Sequence, residues 1–183
     1  MRWLGGDRAG EIRLTRFLRN PAVSSEEMLS EAAERTAERC LGRQVLAIQD
    51  TTVLRSQGGG GEYLHAVVAV DAQDGAILGL IDGRFLTREG GRRGARRGTP
   101  IEEKESFRWL EGADQAASVC AGAAGVTVIA DRESDIFEAF ALRPERVELV
   151  VRAAHDRSLE DGPGLFAAAD AVPAAGRAGL DLP

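Results

Sequence analysis

The sequence predicts an α/β fold built on one mixed β-sheet. Three observations carry that prediction. Two apolar runs rich in β-branched residues, 45–49 and 126–130, each end on an aspartate, Asp50 and Asp131. Residues 45–87 read as three successive strands with turn signals between them, which is the pattern of an antiparallel meander. A helical stretch then precedes the second aspartate-terminated run, and a further helix precedes a last apolar run at 147–153. A crossover helix between strands implies parallel pairing.

The elements follow in order. Residues 9–20 place Ile12, Leu14, Phe17 and Leu18 at helical spacing, and Asn20-Pro21 stops the helix. Ser24 and Glu27 have capping-box spacing and start a second helix. Its apolar face is Met28, Leu29, Ala32, Ala33, Thr36, Ala37 and Cys40, and Gly42 ends it. Strands are expected at 45–54, 62–71 and 76–87, with the glycine run 58–61 as the first turn and Asp74-Gly75 as the second. Thr99-Pro100 opens a long helix, with Pro at its first position and Glu102-Glu103 suiting its dipole, running to about Ala121. A fourth strand is expected at 126–131, a helix at 133–143 ended by Pro144, and a fifth strand at 147–153. Residues 157–183 are rich in Ala, Gly and Pro and show only a short apolar patch at Leu165-Phe166. This order, three strands, helix, strand, helix, strand, is that of a ribonuclease H-like core with helices packed on its sheet, incomplete at the C-terminus. The expected organisation is a helical segment over 1–44, the catalytic-type core over 45–156, and the start of an insertion or a disordered tail over 157–183.

Composition narrows the function classes. Of 183 residues, 44% are hydrophobic and 28% charged, the balance of a soluble globular protein. No stretch approaches the roughly 18 consecutive apolar residues of a membrane span. The N-terminus lacks an apolar signal core, so a cytoplasmic location is expected. Cys40 and Cys120 have no second cysteine or histidine at metal-ligand spacing and read as small buried hydrophobes in a reducing compartment. The net charge of −6 argues against a simple basic nucleic-acid binder. Yet Arg84, Arg88, Arg92, Arg93, Arg96 and Arg97 crowd one stretch, opposed only by Glu89. That run reads either as a solvated Gly-rich loop or as a loop that contacts phosphates through forked guanidinium donors.

The chemistry centres on the two strand-end carboxylates. A carboxylate at the end of a buried strand is costly unless solvated, paired or bound to a metal. Two that converge repel each other until a divalent cation neutralises them. Asp50 and Asp131 are therefore the candidate catalytic and metal-binding residues, for Mg²⁺ or Mn²⁺ in phosphodiester chemistry. Each also has a plain structural reading: Asp50 can cap the Thr51-Thr52 turn, and Asp131 can cap the following helix. Thr51 and Glu133 are placed to support the ligands from behind; Glu133 reads equally as an acidic first-turn residue. Arg152 and His155, leaving the fifth strand on the same side, are candidates for a phosphate backbone or an ordinary exposed pair. His65 reads as a packed, hydrogen-bonded strand residue. No Ser-His-Asp set assembles from two histidines, and the glycine run lacks a phosphate-loop ending.

Five blocks occur in order: Arg16-Phe17-Leu18-Arg19-Asn20-Pro21-x-Val23-Ser24, Leu46-Ala47-Ile48-Gln49-Asp50-Thr51-Thr52, Glu103-Lys104-Glu105-Ser106-x-x-Trp109, Ala130-Asp131-Arg132-Glu133-Ser134-Asp135-Ile136, and Val150-Val151-Arg152-x-x-His155. Together they resemble bacterial cut-and-paste DDE transposases of the insertion-sequence-four family. The resemblance implies that Asp50 and Asp131 are the first two acids of a DDE triad, that Arg152 and His155 lie near transposon-end DNA, and that 157–183 opens a β-rich insertion. It implies double-stranded DNA as partner, and a homodimer or pairing with a full-length transposase. The sequence departs from the family in lacking the third acid's Tyr-Arg-Glu-Lys type motif, and its amino-terminal DNA-end-binding domain is missing or reduced to its last helices, which 1–44 would then represent. It also carries Ala154 where a basic residue is common. A truncated or split enzyme, inactive alone, is the expectation. The alternatives are a non-catalytic partner or inhibitor of a full-length transposase, and a stand-alone nuclease whose last acid is Glu133 or Asp135.

Overall fold

The computed structural model describes residues 7–57, 60–88, 98–160 and 162–174. A five-stranded sheet has the order β3-β2-β1-β4-β5. Its strands are β1 (Gln44–Gln57), β2 (Gly60–Asp71), β3 (Ile77–Arg88), β4 (Gly125–Ala130) and β5 (Val147–Val151). β1, β2 and β3 pair antiparallel, while β1–β4 and β4–β5 pair parallel. This is the mixed α/β sheet of a ribonuclease H-like core, as the sequence predicts. The parallel half follows from the crossover helices, and the antiparallel half from tight turns such as Asp74-Gly75, where Gly75 takes φ 74°.

Local chemistry fixes the helices. Asp7 caps α1 (Arg8–Leu18) by accepting from the Gly10 amide at 2.7 Å. The capping box of α2 (Ser25–Cys40) forms in full: Ser24 Oγ accepts from the Glu27 amide, and the Glu27 carboxylate accepts from the Ser24 amide. The helix then lies against β3. Thr36 Oγ1 donates to the Leu80 carbonyl at 2.8 Å and Arg39 Nη1 to the Leu78 carbonyl at 2.9 Å. That approach needs Gly79, where a Cβ would sit 2.2 Å from Thr36 Oγ1.

One sheet face carries the core. Val45, Ala47 and Gln49 of β1, Val67 and Ala69 of β2, and Val126 and Val128 of β4 are buried under α2 and α3 (Phe107–Val119). The alternate residues face the other way, and there Ile48 and Val150 are 38% and 55% exposed. Cys40 and Cys120 are both buried, free and 3.7 Å apart at sulfur, where the two covering helices end. Burial pushes the Cys120 thiol up to about 12. No helix among the described residues is long and apolar enough to cross a membrane.

Several boundaries differ from expectation. The long helix does not begin at Pro100. A 3-10 turn spans Ile101–Glu103, Lys104 is extended, and α3 starts only at Phe107. Ile101 turns inward to pack with Trp109, Leu110 and Ala130, which an unbroken helix would prevent. The helix expected at 133–143 is likewise split into a 3-10 turn at Arg132–Ser134 and a short α4 (Phe137–Ala141). Asp135 breaks it, because its buried carboxylate bonds the chain beyond β5. β5 stops at Val151, and α5 (Leu165–Ala171) forms where the sequence shows only the Leu165-Phe166 patch.

Candidate active site

The two aspartates lie just beyond the point where the parallel pairing of β1 with β4 stops: Asp50 is midway along β1, which runs on to Gln57 paired only with β2, and Asp131 directly follows β4. Parallel pairing runs to Ile48 opposite Ile129, so the same register carried two residues further sets Asp50 level with Asp131. Both line one cavity of about 150 Å³, together with Thr51, Tyr63, Trp109 and Glu133. Asp50 is exposed, and among the described residues no hydrogen bond or ion pair engages its carboxylate. Asp131 spends one oxygen as a cap: its Oδ1 accepts from the Glu133 amide at 2.8 Å. Both structural readings of these residues are thus answered locally. Asp131 is a cap and a cavity wall at once, and Asp50 takes no role in the Thr51-Thr52 backbone.

Behind the cavity lies a buried polar hub that the sequence reading passed over. Arg108, on the sheet-facing side of α3, is only 5% exposed. Its Nη1 donates to the Glu105 carbonyl at 2.8 Å, its Nε to Thr51 Oγ1 at 3.3 Å and its Nη2 to Glu133 Oε2 at 2.8 Å. The guanidinium also lies 5.0 Å from the centre of the Trp109 ring. A buried arginine demands such partners. The signal for it was available: Arg108 shares a helix face with Gly112 and Ala116, both buried, and an arginine in that row must be paired.

From Thr51 the network continues inward. Thr51 Oγ1 lies 2.9 Å from His65 Nδ1, His65 Nε2 lies 3.1 Å from Gln49 Oε1, and Gln49 Nε2 donates to the Trp109 carbonyl at 3.3 Å. The series closes without conflict when Thr51 donates to Nδ1 and His65 donates from Nε2, which requires a neutral ring. Burial, reinforced by the nearby Arg108 charge, lowers the His65 pKa to about 4. Gly112 permits the contact with α3, since a Cβ there would sit 2.4 Å from Gln49 Oε1.

The other candidates fall around this centre. Glu133 lines the cavity but is bonded to Arg108, and Thr51 belongs to the hub. Arg152 follows β5 with its amide donating to the Ala130 carbonyl at 3.3 Å, which sets it beside the strand end that carries Asp131. His155 is exposed, and its amide donates to Asp135 Oδ2. Neither side chain lines the cavity. Arg92, Arg93, Arg96 and Arg97 lie outside the described residues. Arg84, in the same arginine run, is committed internally to Asp82 and Glu111. Asp135 is withdrawn from any ligand role by its burial and its bonds to Arg157, Ala154 and His155.

The oxygen donors suit a hard cation that keeps most of its waters, for which two carboxylates suffice. Among the described residues, no group of three or more Asp, Glu, His or Cys side chains is arranged to hold a metal ion. Glu133, the third acid of the cavity lining, is drawn to Arg108.

No family model matches the sequence, and no curated protein matches it. Among solved structures, a cysteine-substituted catalytic domain of human endonuclease V is similar, with 10% identity and a TM-score of 0.33. The match covers 60% of this chain and 48% of that one, so this chain spans about half the length of the structure it resembles. The fold assignment rests on strand order and direction, not on that likeness.

Proposed function

We propose that this chain is part of a metal-dependent phosphodiester-processing enzyme, a DDE transposase core of the insertion-sequence-four type that acts on double-stranded DNA. The observation that carries the proposal is that Asp50 and Asp131 both line one cavity, on neighbouring parallel segments whose register, extended two residues past Ile48 opposite Ile129, sets them level. The five collinear sequence blocks support the finer, transposase reading. Asp50 and Asp131 would hold Mg²⁺ or Mn²⁺, which when bound supplies charge neutralisation and polarises a phosphodiester. Asp50 contributes an uncommitted carboxylate and Asp131 its second oxygen. Glu133, tethered by Arg108, adds negative potential at the rim. Arg152 and His155 would contact the DNA backbone, as the Val150-Val151-Arg152-x-x-His155 block suggests. In this reading 1–44 ends a DNA-binding region, 45–156 is the catalytic core, and 157–183 opens an insertion.

With two acids, the purified chain should bind the cation yet turn over very slowly. Calorimetric titration with Mn²⁺ tests the site. The expected result is one site whose affinity drops at least about tenfold on Asp50→Asn and on Asp131→Asn. Equal affinity in wild type and both variants would remove the proposal. Efficient Mn²⁺-dependent cleavage of end DNA by this chain alone would instead remove the view that a third acid is needed from elsewhere.

A further inference from the structure

We propose that His65 is a positioning residue for Asp50, clamping the strand on both sides of that carboxylate; the inference rests on the metal-site reading above. Side chains alternate along β1, so Gln49 and Thr51 point to the helix-covered face while Asp50 points away from it. Those two flanking residues are the ones His65 holds, through Nε2 at 3.1 Å and Nδ1 at 2.9 Å. A single ring thus pins the residue before and the residue after the candidate ligand. The ring itself is fixed. It is fully buried, lies opposite Thr51 in the β1–β2 register, and meets Trp109 edge-to-face at 4.7 Å and 85°.

Each arm is anchored again on α3. Gln49 reaches the Trp109 carbonyl, and Thr51 receives the Arg108 Nε donor. Arg108 also bonds Glu133, on the turn that Asp131 caps. The middle of β1, which carries Asp50, and the turn after β4, which Asp131 caps, are therefore tied to one helix through a continuous set of hydrogen bonds. A histidine that only filled the core would need no such symmetry about Asp50. Outer partners that orient ligand-bearing groups tune metal affinity strongly.

The test uses the whole chain and two readouts. His65→Phe removes both arms, and Thr51→Val removes one while leaving the ring in place. Without metal, amide hydrogen exchange should accelerate at Gln49–Thr52 by about tenfold in His65→Phe, with amides at Val45–Ala47 of the same strand little changed. With Mn²⁺, affinity should fall by roughly tenfold in His65→Phe and by less in Thr51→Val. Exchange that rises uniformly along β1, or not at all, would overturn the clamp. If His65→Phe does not fold, Thr51→Val must show the same local pattern, and uniform exchange there overturns it equally. Mn²⁺ binding that persists unchanged in both variants but is lost in Asp50→Asn would sink the positioning role and leave the metal site standing. Absence of Mn²⁺ binding in the wild type would sink the metal site, and the exchange pattern would still decide the clamp.

Discussion

Asp131 and Asp135 stand at the two ends of one short block, Asp131-Arg132-Glu133-Ser134-Asp135, and the fold uses them in opposite ways. Asp131 opens into the cavity and spends one oxygen on a cap. Asp135 has a side chain 1% exposed and accepts from the Ala154 amide at 2.6 Å, the His155 amide at 3.1 Å and the Arg157 guanidinium. Arg157 Nη2 adds a bond to the Asp135 carbonyl at 2.8 Å. Asp135 thereby staples the loop after β5 to the loop after β4. The contrast teaches that an acidic motif does not announce which acid is free for chemistry. That is decided by how many donors the surrounding backbone aims at each carboxylate.

The largest effect should come from the closed side. Burial alone would raise the Asp135 pKa, but the Ala154 amide, the Arg157 guanidinium and the His155 amide outweigh it and hold the carboxyl below its ordinary value. Asp135→Asn removes the charge that balances Arg157 and should cost about 3 kcal/mol, the lower end for a broken buried pair because Arg157 is one-third exposed. Urea unfolding at neutral pH measures it. A loss under about 1 kcal/mol would erase the distinction between the two aspartates. The sign with pH follows from the lowered pKa. The contribution is complete above the ordinary carboxyl range and fades as pH falls through the depressed value.

His65 belongs with Asp135 on the closed side and should give the next effect. Its pKa drops from 6.5 to about 4, so the folded chain refuses a proton that the unfolded chain accepts. Above pH 6.5 the ring is neutral in both states and its contribution is whole. As pH falls from there towards 4, stability should decline by about 3 kcal/mol in total. His65→Phe should lack the decline in that window, while Asp135→Asn should keep it. Unfolding free energies of the three proteins at several pH values separate the terms. Parallel curves for wild type and His65→Phe would show that the ring is not held neutral.

Much of this architecture was legible in the sequence. The apolar runs that end on Asp50 and Asp131, the Ser24–Glu27 box and the Asp74-Gly75 turn are local signals, and each marks a strand, cap or turn in the structure, although β1 runs past Asp50 to Gln57. What was not legible depends on contacts between distant segments. The helix break at Lys104 exists because Ile101 joins Trp109 and Ala130, a partnership invisible along the chain. Asp135 looked like one more acid in a motif until the chain beyond β5 came back to meet it. The helix row Arg108, Gly112, Ala116 could flag a paired arginine, but its partners Thr51 and Glu133 lie on distant segments. In the candidate site, the acids could be found one by one, while the hub that ties them to α3 could not.

The smallest effects should come from the open side, and they sharpen the comparison most. Asp131 caps through one oxygen, which asparagine retains. Asp131→Asn should therefore leave metal-free stability within about 0.5 kcal/mol, whereas Asp131→Ala should cost about 1 kcal/mol through the lost cap. Asp50 has no such bond among the described residues, and it lines the same cavity as Asp131 and Glu133. Asp50→Asn should thus be neutral or raise stability by a few tenths of a kcal/mol, since like charges on neighbouring strands oppose pairing. Melting in the presence of a chelator measures all three. A loss above about 1 kcal/mol for Asp50→Asn would mean that the carboxylate holds the fold together, which would move it to the same side as Asp135. A neutral result would leave Asp50 as a carboxylate that the fold keeps exposed without structural return, the condition a ligand for a divalent cation requires.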